Sequence, residues 1–151
     1  MQALHARGLV EPLREWLRAD RPFFGICIGY QVLFDSSEEE PGVAGLGVFA
    51  GKVIKFPAIP GLKIPHMGWN VLTDLRPHPV LNGLKPEPHV YFVHSYALNT
   101  EHRDHVAARC DYGGKFVAAV ARDNLFGTQF HPEKSQQAGQ TILANFLRWK
   151  P

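Results

Sequence analysis

Between Leu9 and Leu17 the apolar positions Leu9, Leu13, Trp16 and Leu17 recur at helical spacing. This predicts a helix with one apolar stripe and with Pro12 tolerated in its first turn. Gly8 separates it from residues 1–7, and Arg21-Pro22 stops it. The apolar run Phe23–Cys27 (FFGIC) predicts a short buried strand, and Tyr30–Phe34 a restarted helix. Ser36–Gly42 (SSEEEPG) reads as a solvated loop, since three adjacent glutamates do not belong in a core. From Gly45 onward the pattern changes to short β segments punctuated by proline and glycine. GVFAGKVIKF predicts a strand or a bent pair, and FPAIPGLKIP an irregular loop. WNVLTDL, HVYFVHSYAL and HVAARC predict further strands. Asp111–Gly114 (DYGG) predicts a hairpin turn into KFVAAVA, and Asp123-Asn124 a turn into LFGTQF. Ser135 is placed to cap a last helix with Ala138, Ile142, Phe146 and Trp149 on its apolar side. Helices flanking a β-rich middle fit a three-layer α/β domain.

Composition narrows the classes without choosing among them. The chain has 151 residues, 45% hydrophobic and 20% charged, which suits a single globular domain spanning 1–151. A net charge of +2, with no window dense in lysine and arginine, gives no basis for nucleic-acid binding. No apolar segment approaches the roughly 20 residues that span a bilayer, and the first 17 residues lack the apolar core of a signal peptide. The cysteines are Cys27 and Cys110, too few for a disulfide framework or a zinc site. The expectation is a cytoplasmic protein with reduced thiols and neither a metal nor a cofactor.

Candidate chemistry concentrates at two places. Gly25-x-Cys27-x-Gly29 falls where a predicted strand gives way to a helix, the setting of a nucleophile elbow with cysteine in place of serine. The nucleophile's backbone is strained in such a turn, so small neighbours are expected on both sides. The N-terminus of the following helix is expected to lower the thiol pKa, and the N–H of Ile28 to face a developing oxyanion. Free cysteine is also among the most buried residue types, so on FGICIG alone a core thiol and a nucleophile both fit. A thiol nucleophile needs a base. Of the eight histidines, His5, His78, His89, His102 and His105 sit in polar or proline-flanked contexts and read as surface residues. His102 and His105 have no third residue to complete a metal site. His66 and His94 lie beside apolar runs and read as structural. His131 directly follows LFGTQF, where α/β active sites gather, and Glu133 is placed to orient its ring. Taken alone, His-x-Glu reads as an exposed loop pair.

Together the segments say more. GICIGYQ, followed about a hundred residues later by GTQFHPEKS, resembles the class I (triad) glutamine amidotransferases. IPHMGWN, YFVHSYAL, SSEEEPGVAGLGVFAGKV and FVAAVARDNLFGTQFHPEKS resemble, more narrowly, the glutaminase subunits of imidazole glycerol phosphate synthases, almost end to end. The resemblance implies a class I amidotransferase-like (flavodoxin-like) fold. It implies Cys27 as nucleophile, His131 as general base and acid, and Glu133 as the orienting carboxylate. Gln31 would recognise glutamine, and the backbone around Ser95 and Tyr96 would hold its α-amino and carboxylate groups. Pro65, Met67, Trp69, Tyr91 and Lys134 resemble docking and ammonia-gate positions, although Trp69 and Tyr91 also fit as core aromatics and Lys134 as a solvated charge. The implied partner is a (β/α)8-barrel cyclase subunit, in a heterodimer that passes ammonia into histidine biosynthesis. Another class I amidotransferase, a γ-glutamyl hydrolase, or a chain that only binds the cyclase remain alternatives.

The departure lies at the front. Members of this family carry a strand, two βα units and a PGVGAF-type glycine-rich loop, the second oxyanion donor, ahead of the helix matching LVEPLREWL. Residues 1–22 contain no such loop. At roughly 30 residues per βα unit, the expectation is a partial, N-terminally truncated domain lacking on the order of 50 residues, with sheet edges exposed.

Overall fold

The computed structural model describes residues 1–100 and 103–150, the side chain of Asn99 excepted. His102 therefore lies outside the described residues. Nine strands form the sheet: β1 (Phe23–Ile26), β2 (Ser36–Ser37), β3 (Lys52–Lys55), β4 (His66–Thr73), β5 (His89–His94), β6 (Tyr96–Asn99), β7 (Val106–Asp111), β8 (Lys115–Arg122) and β9 (Leu125–Thr128). Their path is β2-β3-β6-β8-β7-β4-β5, with β9 also on β8 and β1 on β9. Pairing is antiparallel except for β1 with β9 and β2 with β3.

Alternation along the strands sends side chains into two cores. Val53, Leu98, Val117, Val120 and Leu125 join Tyr30, Leu33 and Phe34 under helices α1 (Gln2–Ala6), α2 (Val10–Arg18) and α3 (Ile28–Gln31). Phe92, Ala118, Phe126 and Phe130 join Ile142 of α4 (Gln136–Arg148) on the other side. Adjacent residues of β1 divide between the two, Phe23 packing with the first core and Phe24 with the second. This is the three-layer arrangement expected of the sequence.

Several boundaries differ from the sequence reading, each for a local reason. In α2 the buried residue is Val10, while Leu9 and Trp16 are 42% and 41% exposed. Trp16 instead donates its indole N–H to the Pro22 carbonyl and lies under the Arg21 guanidinium. Strand β1 is half-buried, only Gly25 being fully covered. The helix after Cys27 begins two residues early, at Ile28, and lasts one turn. HVYFVHSYAL breaks at Ser95 into β5 and β6, which pair with different strands. Within GVFAGKVIKF only Lys52–Lys55 is a strand. Ser135 precedes α4, but its hydroxyl does not cap the helix. It donates to the His131 carbonyl at 2.6 Å and accepts from the Tyr91 N–H at 3.0 Å. His78 and His105 are half-buried rather than surface residues. His78 accepts from the Val80 N–H and packs between Phe126 and Trp149.

Candidate active site

Strand β1 ends at Ile26, and the chain turns sharply through Cys27, whose φ of 51° and ψ of −107° lie outside the regions a non-glycine residue prefers. Three backbone hydrogen bonds hold the turn. The Cys27 N–H donates to the Thr128 carbonyl at 2.8 Å, extending the β1–β9 ladder by one rung, and the Cys27 carbonyl accepts from the N–H groups of Tyr30 and Gln31 at 3.0 Å each. Gly25 is needed for this path, because a Cβ there would stand 2.5 Å from the Gly29 carbonyl oxygen. A Cβ on Gly29 would meet nothing within 4 Å. Only one of the two flanking glycines is therefore required by packing.

The thiol's electrostatics correct a second expectation. Burial is the largest influence and raises the Cys27 pKa. The Ile28 N–H points at the sulfur and favours the thiolate, but the carboxylates of Glu133 and Glu39 oppose it. A one-turn helix does not outweigh burial and two negative charges, so the resting group is a protonated thiol that requires a base. Cys110 is fully buried on β7 and pushed up to about 12 by that burial, which leaves it inert.

His131 lies three residues beyond the end of β9, at the same end of the parallel β1–β9 pair as Cys27. Its N–H donates to the Tyr91 carbonyl at 2.9 Å. Its Nδ1 is 2.7 Å from Glu133 Oε1. The carboxylate only accepts, so Nδ1 carries the proton and Nε2 of the neutral ring is left as an acceptor. That Nε2 is buried and has no hydrogen-bond partner among the described residues. A buried, unpartnered ring nitrogen aligned by a carboxylate, at the same strand end as a protonated thiol, has the chemistry of a general base.

Gln31 and Gln129 complete the immediate surroundings. Gln31 Nε2 donates to Gln129 Oε1 at 2.8 Å, and Gln129 Nε2 lies 3.8 Å from Cys27 Sγ. Gln129 was not singled out from the sequence. A glutamine two residues ahead of His131, directly after the strand that delivers it, was the available signal. A cavity of about 350 Å³ opens beside the turn, lined by Ile28, Gln31, Glu39, Glu40 and Val43 among others. The glutamates expected in a purely solvated loop thus form part of its wall. Ser95 and Tyr96 are not among its lining residues as described. The Ser95 carbonyl accepts from Phe56, and that of Tyr96 accepts from His94 and, at 3.4 Å, from Gln31.

The remaining expected residues gather on one outer face. Register places Trp69 opposite Tyr91, with rings 5.9 Å apart, and Lys134 Nζ lies 5.8 Å from the Tyr91 ring. Met67 and Trp69 are 62% and 46% exposed, so Trp69 is not a core aromatic. Pro65 is exposed on the same segment. Among the described residues no group of three or more His, Cys, Asp or Glu side chains could hold a metal ion.

Comparison with known proteins shows the family to which the chain belongs. The family model for glutamine amidotransferase class-I matches residues 3–149. The chain is 47% identical over 150 residues to imidazole glycerol phosphate synthase subunit HisH of Acinetobacter baylyi, covering 99% of this chain and 73% of that protein. It is 52% identical over 149 residues to the subunit of the same name from Bradyrhizobium diazoefficiens, covering 95% and 69%. Among solved structures it resembles a glutamine amidotransferase with a TM-score of 0.70 and 19% identity, over 97% of this chain and 70% of that one. A Thermotoga maritima glutamine amidotransferase gives 0.62 and 15%, over 95% and 54%. At these identities the structural likeness speaks for the fold.

Proposed function

Since the chain belongs to the class I glutamine amidotransferases, we propose that it is the glutaminase component of an imidazole glycerol phosphate synthase, hydrolysing glutamine at Cys27. The observation that carries this reading is the buried Nε2 of His131, free to accept while Glu133 holds Nδ1, at the end of the strand paired with the one that delivers the thiol.

His131 Nε2 takes the thiol proton, and the sulfur attacks the carboxamide carbon of glutamine. The oxyanion that forms is met by the Ile28 N–H. Collapse breaks the C–N bond, and the imidazolium gives its proton to the departing ammonia, leaving a glutamyl thioester. Water, deprotonated by the same ring, then releases glutamate and restores the thiol. Gln31, on the cavity wall, contacts the substrate, and the segment around Ser95 and Tyr96 holds its α-amino and carboxylate groups. Ammonia passes to a (β/α)8-barrel cyclase docked in a heterodimer over Pro65, Met67, Trp69, Tyr91 and Lys134. There it completes imidazole glycerol phosphate and releases aminoimidazole carboxamide ribotide in histidine biosynthesis. A reduced catalytic thiol suits the cytoplasm.

The test is synthesis of imidazole glycerol phosphate by the chain together with its cyclase. Cys27→Ala should abolish the glutamine-dependent reaction and leave the reaction fed with ammonium salt unchanged. Glutamine-dependent turnover that survives in the alanine variant would rule out Cys27 as nucleophile.

A further inference from the structure

Behind the thiol runs a second set of buried polar groups. His94 Nδ1 is 2.7 Å from the Tyr96 carbonyl oxygen. A carbonyl only accepts, so this ring carries its proton on Nδ1 and its Nε2 is an acceptor. His66 Nδ1 is 2.9 Å from that Nε2 and therefore donates. Its own Nε2 accepts from Asn70 Nδ2 at 3.2 Å, and the same Asn70 amide also donates to the Asp111 carbonyl at 3.0 Å. One tautomer of each ring satisfies every partner.

The rings are 3% and 6% exposed, and His66 is stacked between Tyr112 and Phe92. Burial lowers both to about 4. The titratable groups facing them are Tyr112, against His66, and His131, toward His94.

Tyr96's carbonyl is the junction between this set and the thiol. It also accepts from Gln31 Nε2 at 3.4 Å, and Gln31 reaches Cys27 through Gln129. At the other end, His66 points inward on β4 between Pro65 and Met67, both exposed. We propose that His66 and His94 are positioning residues: the neutral pair holds the Tyr96 carbonyl, and through it the Gln31 amide and the Gln129 amide that Gln31 holds at Cys27, and ties that carbonyl to the outward face of β4. The inference rests on the glutaminase reading.

The chain is assayed with its cyclase, following glutamate release. His94→Phe keeps the aromatic contacts and removes both nitrogens. His94→Asn keeps a donor where Nδ1 stands. His94→Phe should raise KM for glutamine about tenfold and lower kcat by less. His94→Asn should return KM to within about threefold of the parent, and His66→Phe should fall between them. A purely structural role would impair both His94 variants alike. Nitrogen-15 spectra of the rings in the parent chain give an activity-independent reading: both should be neutral and protonated on Nδ1 at pH 6. The inference is overturned if KM is unmoved by His94→Phe, if asparagine does not rescue it, or if either ring is charged or protonated on Nε2 alone at that pH. A parent chain that releases no glutamate would sink the glutaminase reading instead, and the ring spectra would still decide the state of the pair.

Discussion

At the scale of single residues, the site sets opposing influences on one sulfur. Burial and the charges of Glu133 and Glu39 hold the proton on Cys27, against the pull of the Ile28 N–H. Glu133 therefore has two effects of opposite sign. Its charge suppresses the thiolate, while its hydrogen bond aligns the His131 ring, the proposed base. Glu133→Gln should speed alkylation of Cys27 by iodoacetamide near pH 7.5 and slow glutamine hydrolysis by about tenfold or more. Slower alkylation of the variant would show that its charge does not govern the thiol. The residues themselves were singled out only through the family resemblance, because a cysteine between glycines also fits a core thiol and His-x-Glu taken alone reads as an exposed loop pair. The balance at the sulfur was not legible, since it depends on how deeply the turn is buried and how near two distant carboxylates come. Gln129 was missed for a related reason: a polar residue just past a strand's end looks ordinary until its burial is known.

Among the elements, hydrophobic periodicity identified most types and misjudged lengths. Gly25 and Gly29 were expected to serve the elbow equally, yet the carbonyl of Gly29 occupies the space a Cβ on Gly25 would need. Gly25→Ala should destabilise the fold by about 1–3 kcal/mol. Gly29→Ala should leave stability unchanged to within about 1 kcal/mol. Thermal denaturation of the two variants checks the asymmetry, and equal losses would contradict it. Ser135 teaches the same lesson from another side. Its position before α4 suggested a cap, but its hydroxyl joins β5 to the turn that carries His131. A local signature competes with partners that only the tertiary fold supplies.

For the whole molecule, three layers and a β-rich middle followed from the pattern, whereas strand order and direction did not. Alternation shows which face a residue takes and leaves its neighbouring strand open. The buried histidine pair gives the assembled fold a pH signature. Each ring titrates at about 4 in place of the ordinary 6.5, so unfolding takes up protons between those values. The stability owed to the neutral pair is complete above roughly pH 6.5 and is lost as pH falls toward about 4. The urea midpoint should decline over that window, and the double variant His66→Phe/His94→Phe should lose less of it. A parallel decline in both proteins would assign the acid sensitivity elsewhere. The β1–β9 ladder also has a consequence in time. Phe23 pairs with Leu125 and Ile26 with Thr128, so the rung beside Cys27 cannot form until a hundred further residues have been made. At roughly 5–20 residues per second, a ribosome leaves the apolar FFGI segment without its native partner for something like 5–20 s. Cys27 and His131 thus come together only after the intervening hundred residues have been made, and for that interval the nascent chain holds one half of the proposed site without the other.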